Sequence, residues 1–248
     1  MSTDHQDPAW HLAPELPRPV IMDQFWADAV FLHWRIDARA VAAYMPPGVV
    51  PDEVDGSSWV GLIGFRMIGA GLGKGLPVPY VGSFTEINVR LYSRGPDGTR
   101  GVVFVTLDAS RLAVVLAARA GGIPYVWSRC SPLVRGTGTQ QEYGYAVQRY
   151  GNQAGSRFAV RPDPATTAED TLSLELTARF GLHSTLGGRT LYIPNTHSPW
   201  PLHSASLTEF DDGLLAAAGL RVEGPPESVL FSPGVRTQFG KPRVVPRP

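Results

Sequence analysis

The stretch FTEINVRLY, residues 84–92, is the part of the sequence on which the fold prediction depends. Its isoleucine, valine and tyrosine favour a β-strand, in which side chains alternate between the two faces of a sheet. Glu86, Asn88 and Arg90 then share one face. The other face carries Thr85, Ile87, Val89 and Leu91. One apolar face is typical of an antiparallel strand, so the polar row faces either water or an internal cavity.

The flanking sequence predicts more strands. A hairpin across the turn RGPDG joins the first strand to GVVFVTLDA, because Pro-Asp-Gly favours a turn. The other predicted strands are AVFLHWRI (residues 29–36), SWVGLIGFRMIG, QEYGYAVQRY, SRFAVRP and RTLYIPNTH.

Short helices are predicted between these strands. Asp37 is a candidate cap for a helix that ends at Pro46, and Asp170 or Thr171 is a candidate cap for AEDTLSLELTARF. ASRLAVVLAARAGG is the strongest helix prediction, with Asp108 as a candidate cap and two glycines as its end. A further short helix is predicted in EFDDGLLAAAGL.

Composition and organisation indicate one folded unit. The chain has 248 residues, 43% of them hydrophobic, which is ample for a core. There is no internal repeat and no Ser/Gly/Pro linker between two bodies. We therefore predict a polar, proline-rich N-terminal arm over residues 1–20 and a single α+β domain over residues 21–248, built mainly from antiparallel sheet.

Charge and cysteine usage restrict the partners. The formal net charge is zero, which argues against nucleic acid and membrane surfaces as partners. The one cysteine, Cys130, cannot form an intramolecular disulfide, and the first residues lack a signal-peptide pattern, so we expect a soluble, cytoplasmic protein. Sheet edges suit pairing between copies of the chain, which leaves a homo-oligomer as an open alternative.

Several common functional motifs are missing from the sequence. The glycine-rich stretch GAGLGKGLPVP fits neither the phosphate-loop nor the dinucleotide-binding spacing. No Gly-x-Ser-x-Gly elbow occurs, and the histidines show no metal-binding spacing. His197 and His203 bracket SPWPL, which we interpret as a rigid corner rather than a metal site. We predict no metal and no cofactor.

Longer stretches carry a resemblance to a known family. They include FLHWRIDARAVAAYMPPGVVPD, SWVGLIGFRM, FTEINVRLYSR, TLDASRLAVVLAARAGGIPYVWS, LTARFGLHS, THSPWPLHSASL and SVLFSPGV. In order and spacing, from about Phe25 to about Pro242, the chain resembles the YqjF-like family of the acetoacetate decarboxylase-like superfamily. The resemblance implies an antiparallel sheet curled into a cone or incomplete barrel around a funnel-shaped cavity. It also implies that Glu86 faces this cavity, with Asn88 and Arg90 on the same side.

The same resemblance bears on the chemistry. AARAGGIPYVWS is similar to the decarboxylase segment that carries the imine-forming lysine and its lysine neighbour. Arg119 and Pro124 match that segment, but the lysine positions are Tyr125 and Val126. An imine requires an amine nucleophile. We therefore predict that the chain is not a Schiff-base decarboxylase, unless Lys74 reaches the cavity.

The function prediction follows from these residues. Glu86, Arg90 and Tyr125 are the candidate catalytic residues for acid/base chemistry next to a carbonyl: hydration, dehydration, isomerisation or cyclisation. The expected ligand is a small carbonyl or carboxylate compound. Its candidate binding residues are Asn88, Arg119, His33, Trp34 and Trp200. The alternatives are a carrier or sensor that uses the same cavity without chemistry, and a structural protein.

Overall fold

Strands dominate the structure, a computed structural model that describes residues 11–73 and 76–246. They are β1 (Met22–Ile36), β2 (Val50–Pro51), β3 (Ser58–Leu72), β4 (Phe84–Arg94), β5 (Arg100–Ala109), β6 (Tyr125–Arg135), β7 (Glu142–Arg149), β8 (Gly155–Thr167), β9 (Gly181–Leu186), β10 (Arg189–His197), β11 (His203–Asp212), β12 (Ser228–Phe239) and β13 (Arg243–Val244).

The helices are short. They are α1 (Ala38–Val41), α2 (Leu112–Ala120), α3 (Thr171–Thr177) and α4 (Leu214–Ala217), with 3₁₀ turns at Ala42–Tyr44 and Gly138–Gln140. The caps of α1 and α3 are confirmed: Asp37 accepts a hydrogen bond from the Arg39 amide, and Asp170 accepts one from the Ser173 amide. The predicted cap of α2 is wrong, because Arg111 precedes that helix and Asp108 is bound elsewhere.

All the described strands belong to one curled sheet. Its order is β13-β10-β9-β5-β6-β7-β8-β11-β12-β1-β3-β4-β2, and β4 also pairs with β5 while β10 also pairs with β12. These two extra pairings bring distant parts of the sheet together around an interior. Most pairs are antiparallel, and β5 pairs in parallel with β6 and β9. The prediction of a curled, mainly antiparallel sheet is confirmed.

The apolar row of β4 faces the main core. Ile87, Val89 and Leu91 are fully buried in it, against side chains of β1, β3, β7, β8 and α4. Gly64 of β3, which pairs with Ile87, allows β7 and β8 to approach closely, because a Cβ at residue 64 would lie 2.4 Å from Cδ2 of Tyr145. The polar row of β4 therefore faces the inside of the curled sheet.

A bulge in β1 reverses the direction of its side chains. The register with β3 shifts between Ala27 and Val30, and Asp28 lies in the left-handed region with φ of 51°. Before the bulge, the even-numbered Trp26 faces the interior. After it, even-numbered residues face the main core instead. The bulge is held by Arg66, which binds the Asp28 carboxylate, and by Tyr145, whose hydroxyl donates to the Asp28 carbonyl.

The predicted domain boundaries are not tested by the fold. Residues 1–10 of the predicted arm lie outside the described residues, as does Lys74. Residues 11–20 contain no helix or strand. Within the described part of the chain, no helix is both long enough and apolar enough to cross a membrane.

We predict that replacement of Gly64 by alanine destabilises the fold by about 3 kcal/mol, because overpacking a closed core forces aromatic rings out of place. The added methyl group would contact the Tyr145 and Phe158 rings. Urea denaturation measures the change. The control is Gly98→Ala, where nothing lies within 4 Å of the new methyl group but φ is 79°. Backbone strain alone should cost about 1 kcal/mol there. Equal costs would show that close packing does not require Gly64.

Candidate functional site

The inside of the curled sheet encloses a cavity of about 440 Å³. This volume lies in the range of ~300–1,000 Å³ that is typical of small-molecule sites. Most of its lining is apolar. The polar lining side chains converge from five elements and the loop after α3: Gln24, Glu86, Arg90, Tyr125, Thr177, Arg179, Asn195 and His197.

Glu86 lies in the cavity wall and is only 2% exposed. The Tyr125 hydroxyl donates a hydrogen bond to Oε2 of Glu86 at 2.6 Å, and Nδ2 of Asn88 donates to Oε1 at 3.4 Å. The structure thus brings Glu86, Asn88 and Tyr125 together. Asn88 is buried beside the cavity rather than among its lining residues.

Burial raises the pKa of Glu86 from its ordinary value of 4.5 to about 7. Removal of water disfavours the charged carboxylate, while the hydrogen bonds from Tyr125 and Asn88 oppose this effect only in part. Burial, followed by the neighbouring Glu86, also raises the pKa of Tyr125 well above its ordinary range. Glu86 is therefore close to half-protonated near neutral pH, and Tyr125 keeps its proton.

Arg90 lines the same cavity without an ion pair among the described residues. Its Nη2 donates to the Leu176 carbonyl at 3.1 Å and to the Tyr92 hydroxyl at 3.2 Å. The guanidinium also lies 5.8 Å from the centre of the Phe31 ring. In particular, Arg90 and Glu86 do not form an ion pair with one another.

Arg179 is a second cation at the cavity, and sequence analysis missed it. It is 5% exposed, and its Nη1 donates to Oδ2 of Asp52 at 2.5 Å. Its Nε donates to the Glu175 carbonyl, whereas Nη2 has no hydrogen-bond partner among the described residues. The Asp52 carboxylate also binds Arg100. Arg179 is thus held by buried acids, since its Nη2 also lies 3.8 Å from Oε2 of Glu175, and its side chain contributes to the cavity lining.

A buried ion pair supports the wall behind Tyr125 and Glu86. Asp108 is fully buried and accepts hydrogen bonds at 2.8 Å from both Nε and Nη2 of Arg149. The Ser128 hydroxyl donates to the same carboxylate at 2.6 Å. Because these residues lie on β5, β6 and β7, the pair fixes the strands that carry Tyr125 and Ala109, the partner of Glu86.

Aromatic rings close another side of the cavity. Trp200 lies in the loop after β10 and stacks on Trp26 with ring centroids 5.9 Å apart. His197 lies 5.4 Å from Trp200, and burial lowers its pKa. Trp200 lines the cavity, and its role as a binding residue stays a prediction. No group of three or more histidine, cysteine, aspartate or glutamate side chains that could hold a metal occurs in the described residues.

Three predicted binding residues lie elsewhere. Trp34 faces the main core, and its indole donates to the Gly224 carbonyl, because the bulge in β1 turns even-numbered residues away from the cavity. His33 is buried beside Ser228 and near Arg90, but it does not line the cavity. Arg119 is exposed in the last turn of α2 and does not line the cavity either.

The curled sheet and its cavity define an acetoacetate decarboxylase-like fold. A solved acetoacetate decarboxylase from Legionella pneumophila shares it, with a TM-score of 0.64 at 14% identity over 99% of this chain and 98% of that one. An acetoacetate decarboxylase-like enzyme from Sphingomonas wittichii matches with a TM-score of 0.64 at 12% identity over 100% and 99% of the chains. The enduracididine biosynthesis enzyme MppR, complexed with pyruvate, matches with a TM-score of 0.64 at 17% identity over 93% and 92% of the chains.

Sequence similarity defines the family more closely. The model of DUF2071, described as an uncharacterized conserved protein family, matches residues 23–236. The protein YqjF of Bacillus subtilis is 30% identical over 190 residues, which are 75% of this chain and 76% of that protein. The chain belongs to the DUF2071 family, and the predicted resemblance is confirmed.

The raised pKa of Glu86 predicts a pH-dependent stability. Below pH 4.5 the Glu86 carboxyl is protonated in both the folded and the unfolded chain. Between pH 4.5 and about 7 the unfolded chain ionises first, so the free energy of unfolding falls as the pH rises. The gap between the two pKa values corresponds to about 3 kcal/mol.

Urea denaturation of wild type and Glu86→Gln over this pH range measures the effect. Relative to Glu86→Gln, the wild type should lose about 3 kcal/mol of its free energy of unfolding as the pH rises. Titration of all other groups cancels in this comparison. Parallel pH profiles would contradict a raised pKa at Glu86.

Proposed function

We propose that the protein is an enzyme that moves a proton next to the carbonyl of a small oxo compound, with Glu86 as the acid/base. The observation that carries this proposal is the Glu86 carboxyl itself. It is buried in a cavity wall, bound to Tyr125, and has a pKa of about 7. A general acid/base works best when its pKa lies near the working pH. Hydration, dehydration, isomerisation and cyclisation of an oxo compound all use such a step, and none requires a metal or organic cofactor.

Tyr125 can couple the movement of two protons. The Tyr125 hydroxyl has a single proton, and in the structure it donates this proton in a hydrogen bond to the Glu86 carboxyl. When Glu86 takes a proton from the substrate, its new O–H group can donate to the Tyr125 oxygen. The Tyr125 proton is then free to bind the oxygen of the developing enolate. We propose this exchange as the role of Tyr125 in stabilising the intermediate.

Arg90 provides the second requirement of the proposal, which is orientation of the substrate. Guanidinium groups bind carboxylates and carbonyl oxygens through directed, charge-assisted hydrogen bonds. Arg90 faces the cavity with no acidic partner among the described residues, two positions along the same strand face from Asn88. We therefore assign it to a carboxylate or carbonyl oxygen of the ligand.

The structural relatives support a small carbonyl ligand. MppR was solved with pyruvate, and also with the condensation product of pyruvate and imidazole 4-carboxaldehyde. These ligands are those of MppR. Their relevance here is that a protein of this fold binds pyruvate, a small oxo acid.

A carrier or sensor is the second candidate function, and one observation favours it. No lysine lines the cavity in the part of the chain that the structure describes, although Lys74 lies outside that part. Without an imine-forming amine, the cavity can hold a ligand and leave it unchanged. Turnover and binding therefore have to be measured separately.

The enzyme proposal predicts exchange of the protons next to a carbonyl. Wild type in deuterated water should incorporate deuterium into pyruvate, α-oxobutanoate or α-oxooctanoate faster than buffer does, as followed by NMR. Glu86→Gln should lose this activity by about 100-fold or more, since it cannot accept the proton. Glu53→Gln is the matched control, because Glu53 is exposed and outside the cavity lining. Binding without exchange by wild type would favour the carrier.

Arg90 predicts a separable effect on binding. A ligand present at a hundred times its dissociation constant should stabilise the wild type by about 2.7 kcal/mol, and a thermal-melt series with oxo acids and neutral ketones detects this. Arg90→Ala should lose the response to oxo acids. Arg119→Ala should keep it, because Arg119 lies outside the cavity. Equal responses of both variants would remove Arg90 from the site.

A further inference from the structure

Polarity changes along the cavity. The lining residues that are exposed to solvent are all apolar: Leu72, Val78, Ala113, Ala117 and Pro242. None of the acidic and basic lining residues is exposed: Glu86 and Arg179 are at most 5% exposed, and Arg90 is half-buried. The described part of the mouth is thus apolar, and the charged groups form an inner end.

Helix α2 forms one side of this mouth with an unusual sequence. It reads LAVVLAARA, and only Val115 is buried. Leu116 is 60% exposed, and Ala113, Val114 and Ala117 line the cavity. A helix that is apolar over most of its surface is normally enclosed by protein, so the face with Ala113, Val114 and Ala117, which lines the cavity, indicates a binding surface.

Residues 69–73 and 76–83, here called the 69–83 segment, contribute another side of the mouth. Its described residues are ordered by backbone hydrogen bonds: Val78 donates to the Ala70 carbonyl at 2.9 Å, and Gly82 donates to the Val78 carbonyl at 2.8 Å. The segment touches the start of α2, where the Arg111 guanidinium lies 4.5 Å from the centre of the Tyr80 ring. The two sides of the mouth are therefore connected, and both present apolar residues to the cavity.

We propose that the ligand is an amphipathic monocarboxylate whose unbranched apolar tail lies in this mouth, between α2 and the 69–83 segment. Its carboxylate binds Arg90 at the inner end, next to Glu86. This orientation rests on the proposed function, which places the reacting carbonyl beside Glu86. The reverse orientation would put a charge among exposed alanine, valine and leucine side chains and leave the half-buried Arg90 guanidinium facing a hydrocarbon chain.

The cavity size agrees with a tail. A volume of about 440 Å³ exceeds the lower limit of ~300 Å³ for drug-sized ligands. A compact oxo acid fills only part of this volume, and the apolar lining that remains includes Val114 and Ile123. Apolar ligand surface is the complement of such a wall.

Binding of saturated monocarboxylates tests the proposal without any need for turnover. Calorimetry with butanoate, hexanoate, octanoate and decanoate, below micelle-forming concentrations, should show affinity that rises by up to about fourfold for each methylene group buried. Octylamine has the same tail as octanoate and an opposite charge, and it should bind at least about tenfold more weakly.

A pair of variants on α2 locates the tail. Ala117→Trp places an indole in the mouth and should weaken decanoate by at least about tenfold while leaving butanoate within about twofold. Leu116→Trp introduces the same side chain at the next residue, which is exposed and outside the lining, and should leave the series unchanged. Circular dichroism confirms that both variants are folded.

The outcomes separate this inference from the proposed function. Affinity that does not rise with chain length, or equal effects of the two variants, would overturn the tail site and favour contact of the apolar mouth with another macromolecule. A chain-length dependence without deuterium exchange would support the tail site and overturn the enzyme. Exchange of pyruvate alone, with a flat series, would support the enzyme and overturn the tail site.

Discussion

The burial of the Glu86 carboxyl is the constraint on which the site depends. A carboxylate removed from water is costly, and the chain meets this cost in part through the Tyr125 and Asn88 hydrogen bonds and in part by a raised pKa. The hydrogen bonds and the raised pKa both require that the strands around Glu86 keep fixed positions. The fully buried pair of Asp108 and Arg149 ties together the strands behind Tyr125, so a structural ion pair and a protonatable group stand on opposite faces of the same sheet.

The division of β4 into two rows was predictable from the sequence, because strand periodicity fixes it. Ile87, Val89 and Leu91 occupy the core as the pattern requires. Periodicity does not say whether the polar row meets water or a cavity, and the family resemblance supplied that step.

Helix caps were predictable for Asp37 and Asp170, where a local hydrogen bond decides the structure. Asp108 failed as a cap because a distant residue, Arg149, competes for it.

The sequence did not predict two features of the site, and both depend on contacts between residues that are far apart in the chain. Trp34 and Trp26 are both even-numbered residues of one strand, yet they face opposite sides because Asp28 adopts a positive φ between them. The local sequence pattern does not predict this bulge, because Arg66 and Tyr145, which stabilise it, lie on other strands. Arg179 and His197 reach the cavity only through the pairing of distant strands. Sequence spacing has no information about that convergence.

The arrangement of charge and apolar surface favours proton transfer over simple storage of a ligand. A carrier needs affinity, which Arg90 and an apolar wall supply without any contribution from Glu86. A carboxyl that is close to half-protonated near neutral pH adds little to the binding of an anion and, once ionised, opposes it. In a carrier, a carboxyl in the same cavity wall as Arg90 weakens the binding of an anionic ligand. In an acid/base enzyme, the same carboxyl transfers the proton. The conflict between binding an anion and keeping a buried carboxyl beside it is therefore the physical reason to regard Glu86 as functional.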